Sequence, residues 1–326
     1  MSPEPVRGKQ AVAVIGTGVI GRSWIRVFAR AGLETRIWDA DPAQIEAAWV
    51  WLKADLKRSR REHGLRKRVI REEREHVVRC EKLEDALQGV FWAQESGPED
   101  LEAKRALYAE LDRLAPPRAV LASSTSTLDM SKIAEGLSGA SRCVVAHPVN
   151  PPHVVPVVEV VGGKHTDPLV VRKSVRFLER VGQTPVLLRK YVPGFLLNRM
   201  QAALVREAVS LVKEGVATPE GIDAVIRDGL GLRWALLGPF GVANTNADGG
   251  LREYFTRYGP SFEMLCQDLR GDFPLTPELI ESMGKSVDAA NRRVPRDVQR
   301  AWRDDMVVRI RELKALHPAV EPEEDA

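Results

Sequence analysis

Five apolar residues, Ala11 to Ile15, three of them β-branched, run without a break into Gly16-Thr17-Gly18-Val19-Ile20-Gly21. The apolar run has the composition of a strand buried in a parallel sheet. The apolar-periodic stretch that follows, Ile20 to Ala31, reads as a helix stopped at Gly32. Glu34 to Trp38 is a second strand, closed by Asp39. A glycine turn between strand and helix, followed by an acid at the end of the next strand, is the pattern of a dinucleotide site. Gly16 permits the tight turn, Gly18 lets backbone N–H groups approach a pyrophosphate, and Gly21 lets helix and strand pack closely. Gly16, Gly18, Val19, Ile20 and Gly21 are the candidate cofactor-binding residues of the turn, with the anion on the helix N-terminus. Asp39, eighteen residues after Gly21, suits ribose hydroxyls and repels a 2′-phosphate. NAD is therefore expected rather than NADP, with FAD, which shares the motif, as the competitor.

Strand and helix patterns go on alternating. Strands are expected at Val90–Ala93, Ala119–Ala122, Cys143–Ala146, Val154–Val161 and Pro185–Leu188, and helices at Pro98–Leu114 and Asp167–Val181. Asp41, Pro42 and Gln44 supply a cap, a first-turn proline and a capping-box partner for one more helix. Such alternation indicates an α/β domain with a doubly wound, mostly parallel sheet. After Pro193-Gly194 the pattern changes. Leu197, Met200, Leu204, Ala208 and Leu211 fall at helical spacing, Thr218-Pro219 opens another helix, and Trp302, Met306, Ile310 and Leu313 repeat the spacing near the end. Residues 1–193 are thus expected to form a Rossmann-type domain and 194–326 an all-helical one.

Composition excludes several classes of function. With 44% hydrophobic and 29% charged residues, the chain has material for a core. Forty-eight Lys and Arg against forty-five Asp and Glu leave +3, too even for whole-chain attraction to nucleic acid or anionic lipid. Cys80, Cys143 and Cys266 form no CxxC pair, which suits a reducing compartment, and no apolar run has the length of a membrane span. A cytoplasmic protein with neither membrane nor nucleic-acid partner is expected. Residues 53–75 depart from the even balance, with nine Lys and Arg between Lys57 and Arg74. They read as a solvated helical hairpin bent at Gly64, the alternative being a surface that meets a phosphate-bearing ligand. No aromatic residue for base stacking lies within them.

In open parallel sheets ligands bind outside the carboxyl ends of the strands. Ser123-Ser124-Thr125-Ser126-Thr127 follows one expected strand, and His147 in Ala146-His147-Pro148-Val149-Asn150-Pro151 follows another. Glu159 lies inside an otherwise apolar strand, where a carboxylate is costly unless paired, and a histidine is its natural partner. General acid–base chemistry needs a group that titrates near neutrality. Imidazole meets the requirement, and a buried carboxylate fixes its tautomer.

The glycine turn, Ser124-Thr125-Ser126, His147-Pro-Val-Asn150-Pro151, Glu159, Pro193-Gly194-Phe195 with Asn198-Arg199, and Gly238-Pro239-Phe240 together resemble the 3-hydroxyacyl-CoA dehydrogenase family over nearly the whole chain. The resemblance implies an NAD-dependent enzyme that oxidises an L-3-hydroxyl to a ketone and forms a homodimer through its helical domain. It implies His147 as the base, Glu159 as the carboxylate that orients it, and Ser126 and Asn198 as the groups holding the substrate oxygen. Glu99 and Lys104 match positions near the nicotinamide half of the cofactor.

The finer resemblance is to the branch of λ-crystallin and L-gulonate 3-dehydrogenase. It rests on Gly16 to Trp24, Ser123 to Ser126, His147 to Pro152, Gly229-Leu-Gly-Leu-Arg233-Trp-Ala235, Asn246-Ala-Asp-Gly249 and Trp302-Arg303-Asp304. L-Carnitine dehydrogenases share the arginine segment. Arg233 suits a free carboxylate, because a guanidinium binds both oxygens. A salt bridge inside the helical domain or across a dimer is its structural alternative. A gulonate-like 3-hydroxy acid is expected first, L-carnitine second and a 3-hydroxyacyl-CoA third. A crystallin-like structural protein that binds NAD without turnover is the reading from another class, and the intact His147, Glu159, Ser126 and Asn198 argue against it.

Overall fold

The computed structural model describes residues 10–269, 275–290 and 294–317. The chain divides between Asn198 and Arg199 into two compact units. The boundary expected at residue 193 lies just ahead of that division.

The first unit holds one eight-stranded sheet of β1 (Ala11–Ile15), β2 (Glu34–Trp38), β3 (Val77–Arg79), β4 (Trp92–Glu95), β5 (Val120–Ser123), β6 (Cys143–Pro148), β7 (Val157–Gly162) and β8 (Thr184–Leu187). The order is β3-β2-β1-β4-β5-β6-β7-β8. β1 to β6 run parallel, β7 pairs antiparallel with β6, and β8 lies parallel to β7. This is the doubly wound Rossmann order with two strands added at one edge, and the order in which the chain adds parallel strands reverses between β1 and β4.

Each face of the sheet is covered, so alternate residues of β1 enter different cores. Val12 and Val14 pack with Trp24, Phe28 and Phe177, whereas Ala11, Ala13 and Ile15 pack with Tyr108, Leu111 and Leu121. Removing a side chain the size of Phe28 or Phe177 from water contributes about 1.5–3 kcal/mol. Trp24 stacks on Phe28 at 5.2 Å, and Phe177 meets Phe28, Phe91 and Trp92. A side chain with two rings at this depth anchors the helix Val19–Arg30 to the sheet.

The basic stretch forms part of the helix Pro42–His63 and the helix Lys67–Glu75, joined at Gly64, whose φ of 66° is left-handed. Asp41 caps the first of these by accepting the Ala43 amide. Four of the stretch's cations, Arg58, Arg61, Arg68 and Arg71, pair with carboxylates; Arg58 binds Asp55 at 2.7 Å and Arg68 binds Glu72 at 2.6 Å. The buried Arg26 reaches Asp55 at 3.2 Å and Glu73 at 2.9 Å, tying both helices to Val19–Arg30.

Among its described residues the second unit has helices and no strands, with helices over Leu197–Lys213 (which begins in the first unit), Pro219–Ala224, Val225–Leu230 (a π-helical segment), Gly231–Thr245, Gly250–Asp268, Pro277–Ala290 and Arg296–Leu316. Thr218 caps the second of them through the Gly221 amide. The stripe at 197–211 is not the buried one that its spacing predicts: Met200 and Leu204 are 60% and 42% exposed. Helical periodicity reports which face is apolar but not whether the same chain covers it. Among the described residues, no helix is long and apolar enough to cross a membrane.

Candidate active site

The carboxyl ends of the parallel strands bring the sequence-predicted residues to one edge of the sheet. Ile15, Glu95 and Ser123 are partners in register across β1, β4 and β5, and Ser123 pairs with Val145, two residues before His147. His147 in turn faces Glu159 across the β6–β7 ladder.

The imidazole Nδ1 of His147 lies 2.8 Å from Glu159 Oε2. Glu159 Oε1 accepts the backbone amides of Leu196 at 2.7 Å and Leu197 at 3.0 Å, where the helix Leu197–Lys213 begins. Free amides at a helix start favour a negative charge. Burial opposes ionisation of Glu159, but the hydrogen bond with His147 and the Leu197 and Leu196 amides outweigh it and hold the carboxyl below its ordinary range. A charged carboxylate only accepts, so Nδ1 carries a proton, and in the neutral tautomer this leaves the lone pair on Nε2. Phe195, fully buried, lies against the ring at 5.3 Å and adopts a positive φ of 49°.

Glu99 gathers the loop after β5. Its Oε1 accepts from the hydroxyls of Thr125, Ser126 and Thr127 and from the amides of Ser126 and Thr127, at 2.7 to 3.1 Å. Burial works against its charge, yet these donors and Lys104 keep its carboxyl below the usual range. Asn198 Nδ2 donates to the Ser126 carbonyl at 3.3 Å. Ser126, Asn198 and Glu99 are thus drawn together.

Lys104 has a different nearest partner. Its ammonium is buried and donates to Glu95 Oε1 at 2.7 Å, while Glu99 Oε2 stands at 4.0 Å. Glu95, also fully buried, accepts in addition from the Gly97 amide and the Ser123 hydroxyl, each at 2.6 Å. Beside it, the Ser124 hydroxyl meets Trp24 Nε1 at 3.2 Å, Gln94 Nε2 at 2.8 Å and Ser96 Oγ at 2.9 Å. Sequence reasoning missed Trp24, Gln94 and Glu95 as parts of this edge. The available signal was the polar pair Gln94-Glu95 directly after an apolar run.

The glycine turn is built for close approach. Gly16 has φ 87°, and a Cβ there would stand 2.8 Å from the Ser96 carbonyl carbon; a Cβ on Gly21 would stand 1.8 Å from Gly16 O. Gly18 is the N-cap of Val19–Arg30 with no side-chain cap, no acid in the first turn, and open space where its Cβ would be. Asp39 Oδ2 accepts the Thr17 amide at 2.7 Å and the Thr17 hydroxyl at 3.2 Å, and Oδ1 accepts the Asp41 amide at 3.0 Å, which leaves a lone pair on Oδ1 for a further hydroxyl donor. Asp39 lines a cavity of about 640 Å³ with Ile45, Glu46, Arg79 and Cys80.

A profile of the NAD-binding domain of 3-hydroxyacyl-CoA dehydrogenases matches residues 11–191, and a profile of their C-terminal domain matches residues 194–269. The chain belongs to the 3-hydroxyacyl-CoA dehydrogenase family. The λ-crystallin homolog of Bos taurus is 40% identical over 314 residues, 94% of this chain and 96% of that one. The L-carnitine dehydrogenase of Streptomyces coelicolor is 37% identical over 334 aligned positions, covering 100% and 99%. Among solved structures, an NAD+ dependent dismutase, 5-formyl-3-hydroxy-2-methylpyridine 4-carboxylic acid 5-dehydrogenase, superposes with a TM-score of 0.77 at 26% identity, over 94% of this chain and 98% of that one. The 3-hydroxybutyryl-CoA dehydrogenase of Escherichia coli gives 0.64 at 29% identity, over 68% and 46%.

As a member of the 3-hydroxyacyl-CoA dehydrogenase family, the chain is an NAD-dependent hydroxyl oxidoreductase. Its residues fit NAD: an uncapped helix start for a pyrophosphate, glycines whose side chains would block the turn, and a carboxylate at the end of β2 for ribose hydroxyls.

Proposed function

We propose that the chain oxidises the L-3-hydroxyl of a small, free 3-hydroxy acid to a 3-keto acid, with His147 as general base. The observation that carries this reading is the His147–Glu159 pair, buried, at 2.8 Å, with both carboxylate oxygens engaged. Nε2 of His147 takes the hydroxyl proton, and Glu159 stabilises the imidazolium that forms. Ser126 and Asn198 hold the substrate oxygen; a well-placed donor on a developing oxyanion contributes about 2.7–4 kcal/mol. NAD, when bound, accepts the hydride. Gly16, Gly18, Val19, Ile20, Gly21 and Asp39 hold its adenosine and pyrophosphate. Glu99 serves the nicotinamide side, with Lys104 supporting that loop through Glu95.

Arg233 is assigned to the substrate carboxylate. Its guanidinium is exposed and has no ion-pair partner among the described residues, which favours a ligand over a salt bridge inside the helical unit. A gulonate-like acid comes first because the finer motifs resemble the λ-crystallin and L-gulonate 3-dehydrogenase branch, and the λ-crystallin homolog of Bos taurus is 40% identical against 37% for the L-carnitine dehydrogenase of Streptomyces coelicolor. L-Carnitine is the second reading, supported by relatives of that activity, and a 3-hydroxyacyl-CoA the third. Purified protein offered L-gulonate, L-carnitine and 3-hydroxybutyryl-CoA with NAD, followed by NADH absorbance, tests the reading. NADH formation on L-gulonate is expected to be fastest; no NADH with any of the three favours a crystallin-like structural role.

The partner of the helical unit is assigned to a second copy of the chain. Leu236, Phe240 and Trp302 are 67%, 70% and 65% exposed, while Val209, Val242 and Ala243 are the only buried apolar residues described after Asn198. Apolar surface of this extent marks an interaction site.

A further inference from the structure

The basic stretch plays no part in the chemistry above, yet it places two cations beside the cavity next to Asp39. Three positive side chains stand over the ring of Trp49: Arg79 at 5.2 Å, Lys53 at 5.8 Å and Arg74 at 5.9 Å from its centroid. Arg79 is the last residue of β3 and lines that cavity, where it is the sole cation among three carboxylates, Asp39, Glu46 and Glu81. Glu46, one turn before Trp49 on the helix Pro42–His63, binds Arg79 Nη1 through Oε2 at 2.8 Å.

Dinucleotide sites that accept a 2′-phosphate use an arginine near the end of the second strand. This chain has such an arginine, and a carboxylate holds it. We propose that Glu46 is a second determinant of the preference for NAD over NADP. Asp39 repels a 2′-phosphate directly, and Glu46 does so indirectly, by neutralising Arg79 at the rim of the adenosine cavity. Arg79 without Glu46, backed by Lys53 and Arg74, is a phosphate-binding fork. The inference rests on reading the cavity beside Asp39 as the adenosine site.

Calorimetric titration of the full chain with NADH and with NADPH, reported as the ratio of the two Kd values, tests it without turnover. Glu46→Gln is expected to shift that ratio toward NADPH by about three- to fivefold, the range of an exposed ion pair. The shift should be larger in Asp39→Ser/Glu46→Gln, shrink with added salt, and vanish when Arg79→Met is added. An unchanged ratio in Glu46→Gln, or a shift that survives Arg79→Met, overturns the proposal. Asp39→Ser alone separates the two readings. If it leaves NADH binding intact, the cavity is not the adenosine site; if it weakens NADH while Glu46 and Arg79 prove silent, this inference alone falls.

Discussion

Glu159 and His147 meet across the single antiparallel pairing of the sheet, in register, with 2.8 Å between Oε2 and Nδ1. The acid is fixed from behind by two amides at a helix start, so the imidazole has one orientation and one tautomer. Glu159→Gln should keep the fold and NADH binding but lower turnover by about 10⁴-fold, the loss seen when the orienting acid of a hydrolase triad becomes an amide. His147→Gln should cost about 10²–10⁴-fold, again with NADH binding retained. Steady-state rates with NADH titration by fluorescence check both; near-normal turnover in His147→Gln removes it from the role of base.

Arg233→Met addresses the substrate. The KM for the hydroxy acid should rise by about tenfold or more, since a charge-assisted pair to a carboxylate is lost, while the KM for NAD stays nearly constant. If both constants are unmoved, the carboxylate is bound elsewhere.

His153 makes stability depend on pH. Its ring lies edge-on to Trp51 at 5.2 Å, with Nε2 3.9 Å from Asp55. Burial, offset in part by Asp55 and reinforced by Arg26, Arg30 and Arg58, pushes its pKa down from 6.5 to about 4. The unfolded chain therefore takes a proton near pH 6.5 that the folded chain refuses until about pH 4. Stability is full above the first value and is lost as pH falls toward the second, by up to about 3 kcal/mol. Thermal midpoints measured from neutral pH downward should drop less steeply in His153→Phe; parallel curves for the two proteins count against this account.

The helical unit predicts its own assembly. Light scattering at low micromolar concentration should give twice the chain mass, and Leu236→Asp or Trp302→Asp should shift the particle toward the monomer. A monomeric wild-type protein contradicts the assignment of that surface.

β1 and β2 were readable residue for residue because each is bounded by its own local signals, a glycine turn and an acid. Elsewhere tertiary contacts moved the ends. Val154 and Val155 read as the start of a strand, but their amides turn back onto the Pro151 carbonyl, and β7 begins at Val157. The helix expected from Pro98 starts at Leu101 because Asp100 caps it through the Ala103 amide. β3, three residues long with two of them exposed, carries no alternation to detect. In the site, His147, Glu159, Ser126 and Asn198 could be named from motif and setting. Glu95 offered only its place after an apolar run, since the partners that hold it, Lys104 and Ser123, are distant in sequence. Met200 and Leu204 show the converse, a legible apolar stripe that the described residues leave exposed.

Glu99 has a consequence for how a ligand enters. The Ser126 amide and the Ser126 hydroxyl both point at one carboxylate oxygen, at 2.8 Å and 3.1 Å, and the Thr127 amide joins them at 3.0 Å. The main chain is tethered independently of the hydroxyl. In the role proposed for it, Ser126 trades its side-chain partner for an incoming alcohol by a single bond rotation, and the loop that carries it need not stir.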